Sequence, residues 1–263
     1  MSEIRQGHYY KKQLGCDSSV IAWSHRSRFA MALKLLGHDP VNVMDYGSGD
    51  GTFLSMASPT IGRGVGVDLA VDQIEDCRIR LASLRNLEFN ALSALAAPHH
   101  VAAYDRVYCM ETLEHCTAPV VDVVLRDLAR LVSPAGRVII SVPIEIGPTF
   151  AAKYVLRSAA ALRGLSDYKF YERYVFSDAI RMTFAGRHTA LSRPVHQDKD
   201  GESHSHYGFN WRALRIIVSR FLVVERTLFS PFGFTGGLMS SQAWFVCRPG
   251  LKNKRISNFN KFH

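Results

Sequence analysis

The chain has 263 residues, 47% of them hydrophobic, enough for the core of one enzyme-sized domain, and a net charge of +9 that favours phosphates, nucleic acid or an anionic membrane surface without requiring them. No apolar run is long enough for a transmembrane helix, and the polar opening MSEIRQGHYYKKQ has no secretory apolar stretch, so a cytoplasmic location is expected. Five scattered cysteines (Cys16, Cys77, Cys109, Cys116 and Cys247), none in a Cys-x-x-Cys pair, fit free thiols rather than a disulfide framework or a zinc site.

Helical spacing of Ile21, Phe29, Leu33 and Leu36 predicts a helix over 18–37 that stops at Gly37. Next come a strand at 41–46, a glycine loop, a helix to about residue 57, a strand at 64–68, a helix at 70–84 and a short strand at 86–90. A strand at 104–110, a helix at 117–131 and a strand at 136–142 ended by Pro143 complete the regular part. This alternation predicts an α/β fold: a mostly parallel sheet with helices on both faces.

The rhythm breaks after Pro143. Residues 148–187 read as helical segments and 192–205 as a polar loop, so 144–208 forms a helical cap inserted into the sheet order. A helix at 209–219, a strand at 220–228, a turn with Pro231, Gly233, Gly236 and Gly237, and a last strand at 241–248 follow; the final two strands pair as an antiparallel hairpin at a sheet edge. The whole chain, 1–263, reads as one domain with an N-terminal lid or helix at 1–37 and a basic tail.

The stretch VNVMDYGSGDGTFL drives a strand into Gly47, Gly49 and Gly51, a turn whose backbone approaches a ligand closely. The spacing is G-x-G-x-G, not the dinucleotide G-x-G-x-x-G, and no Gly-Lys-Ser/Thr follows. Asp45, two residues before the first glycine, would repel a pyrophosphate and suits a cationic ligand.

DYGSGDG resembles the first motif of the class I S-adenosylmethionine-dependent methyltransferases, and GVGVDLA, YDRVYCMETLEH and LVSPAGRVIISVP match later elements over residues 40–145. The resemblance implies a Rossmann-like seven-stranded sheet of order 3-2-1-4-5-7-6 with an antiparallel last strand. It implies that Gly47 and Gly49 pass under the methionine portion of S-adenosylmethionine, that Asp45 holds its ammonium, and that Asp68 binds both ribose hydroxyls. Leu69 would pack on adenine, Asn90 and Ala91 would face the adenine amino group, and Met110 would be a further cofactor-binding residue.

Methyl transfer to an alcohol needs a base or a metal near the fourth strand's end. Glu111, Glu114 and His115 have i, i+3, i+4 spacing and share a face if METLEHC begins a helix, a plausible magnesium or manganese set. E-x-x-E-H is similar to the metal element of ubiquinone-type O-methyltransferases and of Hen1-like RNA 2'-O-methyltransferases, and HYGFNW resembles the segment that gives the latter a further histidine, here His206. Three readings stay open: a metal site of Glu111, Glu114, His115 and His206; metal-free base catalysis by His115 or His206; or a glutamate that caps a helix and a histidine that borders the pocket. His204 is expected to be solvated, and His99 and His100 to lie in a surface connection.

The cap mixes Phe150, Tyr154, Tyr168, Phe170, Tyr171, Tyr174 and Phe176 with Lys153, Arg157, Arg163, Lys169, Arg173, Arg181 and Arg187, a combination that can hold a ring beside an anionic group. It equally fits a core with a solvated basic face. The favoured function is O-methylation of a small molecule, such as a sugar or polysaccharide precursor, a quinone or a secondary metabolite. The alternatives are a Hen1-like RNA methyltransferase, for which no separate RNA-binding module is visible, and a non-catalytic cofactor-binding relative.

Overall fold

The computed structural model describes Gly7 and residues 19–162, 175–198 and 201–250. The N-terminal HYYKKQ segment and the basic tail lie outside them, as do Arg163, Tyr168, Lys169, Phe170, Tyr171, Arg173 and Tyr174 of the cap and the side chain of Arg157.

In chain order the elements are α1 (Ser19–Leu36), β1 (Asn42–Tyr46), α2 (Thr52–Ala57), β2 (Arg63–Asp68), α3 (Val71–Arg80), β3 (Leu87–Ala91), β4 (Tyr104–Met110) and α4 (Ala118–Leu131). They continue with β5 (Val132–Pro143), α5 (Pro148–Leu162), α6 (Phe176–Thr183), β6 (Val195–Asp198), β7 (Gly201–His204), α7 (Trp211–Phe221), β8 (Leu222–Ser230) and β9 (Gln242–Pro249). The main sheet has seven strands in the order β3-β2-β1-β4-β5-β9-β8. β1 pairs in parallel with β2 and β4, whereas β9 runs antiparallel between β5 and β8. This is the order the sequence resemblance implies, with β6 and β7 set apart in the cap.

Strand faces sort the core into two layers. Met44, Val65, Val67, Val107, Cys109, Val138 and Ile140 face α4 and α7, while Val43, Phe89, Tyr108, Ile139 and Trp244 face α1, α2 and α3. Alternate residues of β1, Val43 and Met44, thus serve opposite layers, as the two-residue period of a strand dictates. Helix α4 shows why its sequence folds: Val121, Val124, Leu125, Leu128 and Leu131 recur at helical spacing and are all buried. Helix α7 starts where Asn210 accepts the N–H groups of Arg212 and Ala213 at 3.1 and 3.2 Å, one of the residue types that best satisfies a helix start.

Four expectations need correction. The third helix, predicted to residue 84, ends at Arg80. The polar stretch 192–205 contains an antiparallel ribbon, Val195 to Asp198 paired with Gly201 to His204, rather than a plain loop. His100 is 2% exposed, because a short 3-10 turn at Pro98–His100 folds its ring onto buried Tyr104, with Nδ1 2.6 Å from the phenol oxygen. The residues after Met110 do not begin a helix, and α4 starts only at Ala118. Among the described residues no helix is long and apolar enough to cross a membrane.

Candidate active site

The parallel strands deliver their C-terminal ends to one edge, where ligands gather in open α/β sheets. Strand β1 ends in Asp45 and Tyr46, and the chain then passes through Gly47, Gly49 and Gly51, with φ of 80°, 51° and 70°. Side chains disfavour that left-handed region, and at Gly47 a Cβ would also sit 2.5 Å from Thr112 Oγ1. The Gly47 and Ser48 N–H groups both donate to Val67 O, at 2.8 and 3.0 Å. Asp68 completes the tie between the two loops: its Oδ2 accepts the Gly49 N–H at 2.8 Å and its Oδ1 the Ala70 N–H at 3.0 Å.

Asp45 lies beneath this turn, 2% exposed, and its Oδ1 has no hydrogen-bond partner among the described residues. Burial, with Asp68 and Asp50 nearby, pushes its carboxyl up to about 8. A buried carboxylate oxygen of this kind calls for a cationic group, which fits the ammonium of S-adenosylmethionine. Leu69, 62% exposed, stands beside Asp68 and offers an apolar surface to a flat ring. Asn90 and Ala91 lie level with Val67 and Asp68 on β3, and Met110 is half-buried at the end of β4. The Asn90 amide is already engaged, accepting from Arg78 at 3.2 Å and donating to Glu88 at 2.7 Å, so it is the weakest fit among the expected cofactor residues.

The second half of the site follows β4. Glu111 has φ of 52°, a costly conformation for a residue with a side chain. It is held by its N–H to Ser141 O at 3.0 Å and by a 3.1 Å ion pair with buried Arg28 of α1. The chain then turns, with the His115 N–H donating to Thr112 O at 3.0 Å, and the expected shared helical face of Glu111, Glu114 and His115 does not form. Glu114, His115 and His206 instead converge, each offering a ligand atom within 4.8 Å of the others. Glu111 is not in that set; its carboxylate pairs with Arg28.

Glu114 is completely buried, and neither carboxylate oxygen has a hydrogen-bond partner among the described residues. Burial first, and then the charge of Glu111, raises its carboxyl well above the usual carboxylate range. His115 Nε2 lies 3.9 Å from Glu114 Oε1 and its Nδ1 2.9 Å from His204 O. A carbonyl only accepts, so Nδ1 carries a proton and Nε2 is the ring nitrogen that faces the cluster. The His206 ring stands 5.0 Å from that of His115, and burial lowers its pKa despite Glu145 and Glu111, leaving it neutral near pH 7. A buried carboxyl group beside two imidazoles is a donor set suited to a divalent cation or to accepting a proton.

Sequence reasoning missed the groups that hold this cluster in place. Arg193 donates to Glu114 O across the cap, and the His204 N–H donates to His115 O at 2.9 Å, so the segment around the β6–β7 ribbon clasps the loop after β4. His204, expected to be solvated, serves through its backbone, and its own ring bonds Pro194 O at 2.9 Å. Glu145, 1% exposed and 2.8 Å from Lys153 Nζ, is a charge in the otherwise apolar run SVPIEIGP, a signal that could have been read. Of the cap aromatics, Phe150 packs inward with Ala179 and Met182, half-buried Tyr154 packs against them, and Phe176 is 72% exposed.

Residues 43–136 match the family described as a methyltransferase domain. The ubiquinone biosynthesis O-methyltransferase of Nitrosospira multiformis is 34% identical over 146 residues, 51% of this chain and 56% of that protein. The enzyme of the same name from Bordetella avium is 35% identical over 137 residues, 49% of this chain and 55% of that one. The chain thus spans about half the length of the curated relatives it matches. Among solved structures, a protein of Pyrococcus horikoshii OT3 aligns over 92% of this chain and 98% of its own with a TM-score of 0.59 and 15% identity. Geranyl diphosphate C-methyltransferase from Streptomyces coelicolor A3(2), solved with Mg2+, geranyl diphosphate and S-adenosyl-L-homocysteine, covers 92% of this chain and 84% of its own at TM-score 0.52 and 15% identity. Identities this low carry the likeness of fold alone.

Proposed function

We propose that this chain is a class I S-adenosylmethionine-dependent methyltransferase that transfers a methyl group to a hydroxyl of a small molecule. The observation that carries the reading is the pairing of two orphaned buried carboxylates: Asp45 beneath the glycine turn and Glu114 beside His115 and His206. One suits the cofactor's ammonium. The other suits the group that activates an acceptor.

Asp45 would hold the ammonium, the backbone of Gly47 and Gly49 would lie under the methionine portion, and Leu69 would cover the adenine. The Asp68 carboxylate, fixed by two backbone N–H groups, keeps lone pairs for the ribose hydroxyls. When bound, S-adenosylmethionine supplies an electrophilic methyl on a sulfonium, so the protein's task is to align the acceptor oxygen with it and remove the hydroxyl proton. Neutral His206 would take that proton, with the Glu145 carboxylate nearby to compensate the imidazolium. In the metal-bound alternative, Glu114, His115 Nε2 and His206 would instead hold a magnesium or manganese ion, which lowers the pKa of a coordinated hydroxyl.

The relatives named for ubiquinone biosynthesis support a hydroxylated aromatic ring as acceptor, and the cap at 144–208 would form its binding face. The test is mass spectrometry of reactions containing S-adenosylmethionine and catechol, hydroxyquinol or sugar acceptors, with manganese or a chelator. A methyl ether that forms only with the protein supports the reading. Calorimetry showing no S-adenosylmethionine binding, or binding without methylation of any hydroxyl, would reject it.

A further inference from the structure

A second site lies at the far end of the sheet. Arg106 sits five residues before Glu111 on β4, roughly 16 Å along the strand from the active-site edge. There a cleft of about 420 Å3, within the range of small-ligand sites, is lined by Leu35, Arg106, Arg137, Ile139, Glu225 and Arg226 among others. Arg106 and Arg137 are register partners on adjacent parallel strands, so two like charges stand side by side, an arrangement that costs stability unless an anion offsets it.

The protein's own anion falls short of that. Glu225 accepts from Arg137 Nε at 2.7 Å and also faces Arg248 Nε at 3.5 Å, so one carboxylate serves two guanidinium groups. Arg137 spends another nitrogen on Ala135 O and Gly136 O, and Arg106 one on Asp105 O. Neither Arg106 nor Arg226 forms an ion pair among the described residues. Three arginines, from β4, β5 and β8, therefore line the cleft with a single carboxylate, which Arg248 of β9 also engages, above a floor that includes Leu35 and Ile139 of the packed core.

We infer that this cleft binds a multiply charged oxyanion, a phosphate or diphosphate group, at a site separate from the methyl-transfer centre. Guanidinium forks match phosphate oxygens in pairs, so several lining one cleft favour a phosphate-bearing ligand. The group can come from a small phosphorylated molecule or from a nucleic-acid backbone, since both present the same oxygens.

Calorimetric titration of the full chain with inorganic pyrophosphate tests the site, using R226Q, R106Q and, as a charge-matched control outside the cleft, R220Q on α7. Thermal melts confirm that each variant is folded; exposed Arg226 is the one least able to perturb the fold. Saturable binding weakened at least tenfold by R226Q and R106Q, and left unchanged by R220Q, is the expected result. No saturable binding, or an equal loss in R220Q, would overturn the site in favour of diffuse surface charge. A parallel titration with a short single-stranded RNA separates the sources: weakening by R226Q assigns the site to a nucleic-acid backbone, and indifference to R226Q assigns it to small phosphates.

Discussion

The carboxylate of Asp68 accepts the backbone N–H of Gly49 at 2.8 Å, so the end of β2 holds the glycine turn that follows β1 in shape before any ligand arrives. Removing that carboxylate does two things at once. Asp68→Ala loses hydrogen bonds to two backbone N–H groups, each worth about 1.5–3 kcal/mol when the acceptor is charged, partly replaced by water at this half-exposed position. S-adenosylmethionine affinity is expected to fall at least tenfold and the melting temperature to drop together with it. Asp68→Asn, which keeps an acceptor but not the charge, is expected to recover stability more than affinity. Calorimetry and thermal melts on both variants check this, and unchanged affinity in Asp68→Ala would reject the ribose assignment.

Gly47 separates strain from crowding. Its φ of 80° penalises any side chain, and the nearest atom to an added Cβ is Thr112 Oγ1 at 2.5 Å. Gly47→Ala is expected to cost about 1–3 kcal/mol of stability. The double variant Gly47→Ala with Thr112→Ala removes the clash and leaves the dihedral cost, so denaturant unfolding should show partial recovery. Full recovery would mean that the left-handed backbone costs nothing here.

Much of this site was legible because its parts are local. Asp45, Gly47, Gly49 and Gly51 sit in seven consecutive residues, and the tight turn they form demands those residue types. Asp68 was legible through strand spacing, since it ends the strand paired in register with β1. The Glu111 region was misread because spacing assumes one backbone conformation throughout, and Glu111 adopts a left-handed φ that residues with side chains seldom take. Arg28, Arg193 and Lys153 were invisible as site residues. Their partners lie 83, 79 and 8 positions away, through contacts that only the packing of α1, the ribbon region and α5 creates. The arginine cleft was equally hidden, being assembled from four strands.

The pH dependence of cofactor binding follows from Asp45. Its folded pKa of about 8 lies above the usual value, so its share of stability is complete below about pH 4 and is lost as pH rises through about 8. Near pH 6.5 the group is mostly protonated, and pairing it with an ammonium must expel that proton. Affinity is therefore expected to rise by up to about tenfold per pH unit between pH 6 and 7.5, below the range where an α-amino group itself loses its charge. Calorimetry in buffers of different ionisation enthalpy should report close to one proton released per cofactor bound at pH 6.5, and none in Asp45→Asn. A flat affinity profile with no proton release would show that Asp45 does not face the ammonium.

Glu114 distinguishes a metal site from a metal-free base. Its carboxyl is raised well above the usual range by burial and by Glu111, so its ionisation costs stability progressively as pH rises from about 5. Glu114→Gln removes that cost, and in a chelator-containing buffer at pH 8 it is expected to be more stable than the parent chain. Manganese should reverse the order, raising the melting temperature of the parent and leaving Glu114→Gln unmoved, because only the parent supplies the anionic ligand beside His115 and His206. His206→Ala is expected to lose the manganese shift as well and to slow methyl transfer by about 10² or more, the scale of a positioned base. If manganese stabilises neither chain and a chelator leaves turnover intact, the cluster works as a metal-free base. His206→Ala should then still be slow, while Glu114→Gln keeps its rate.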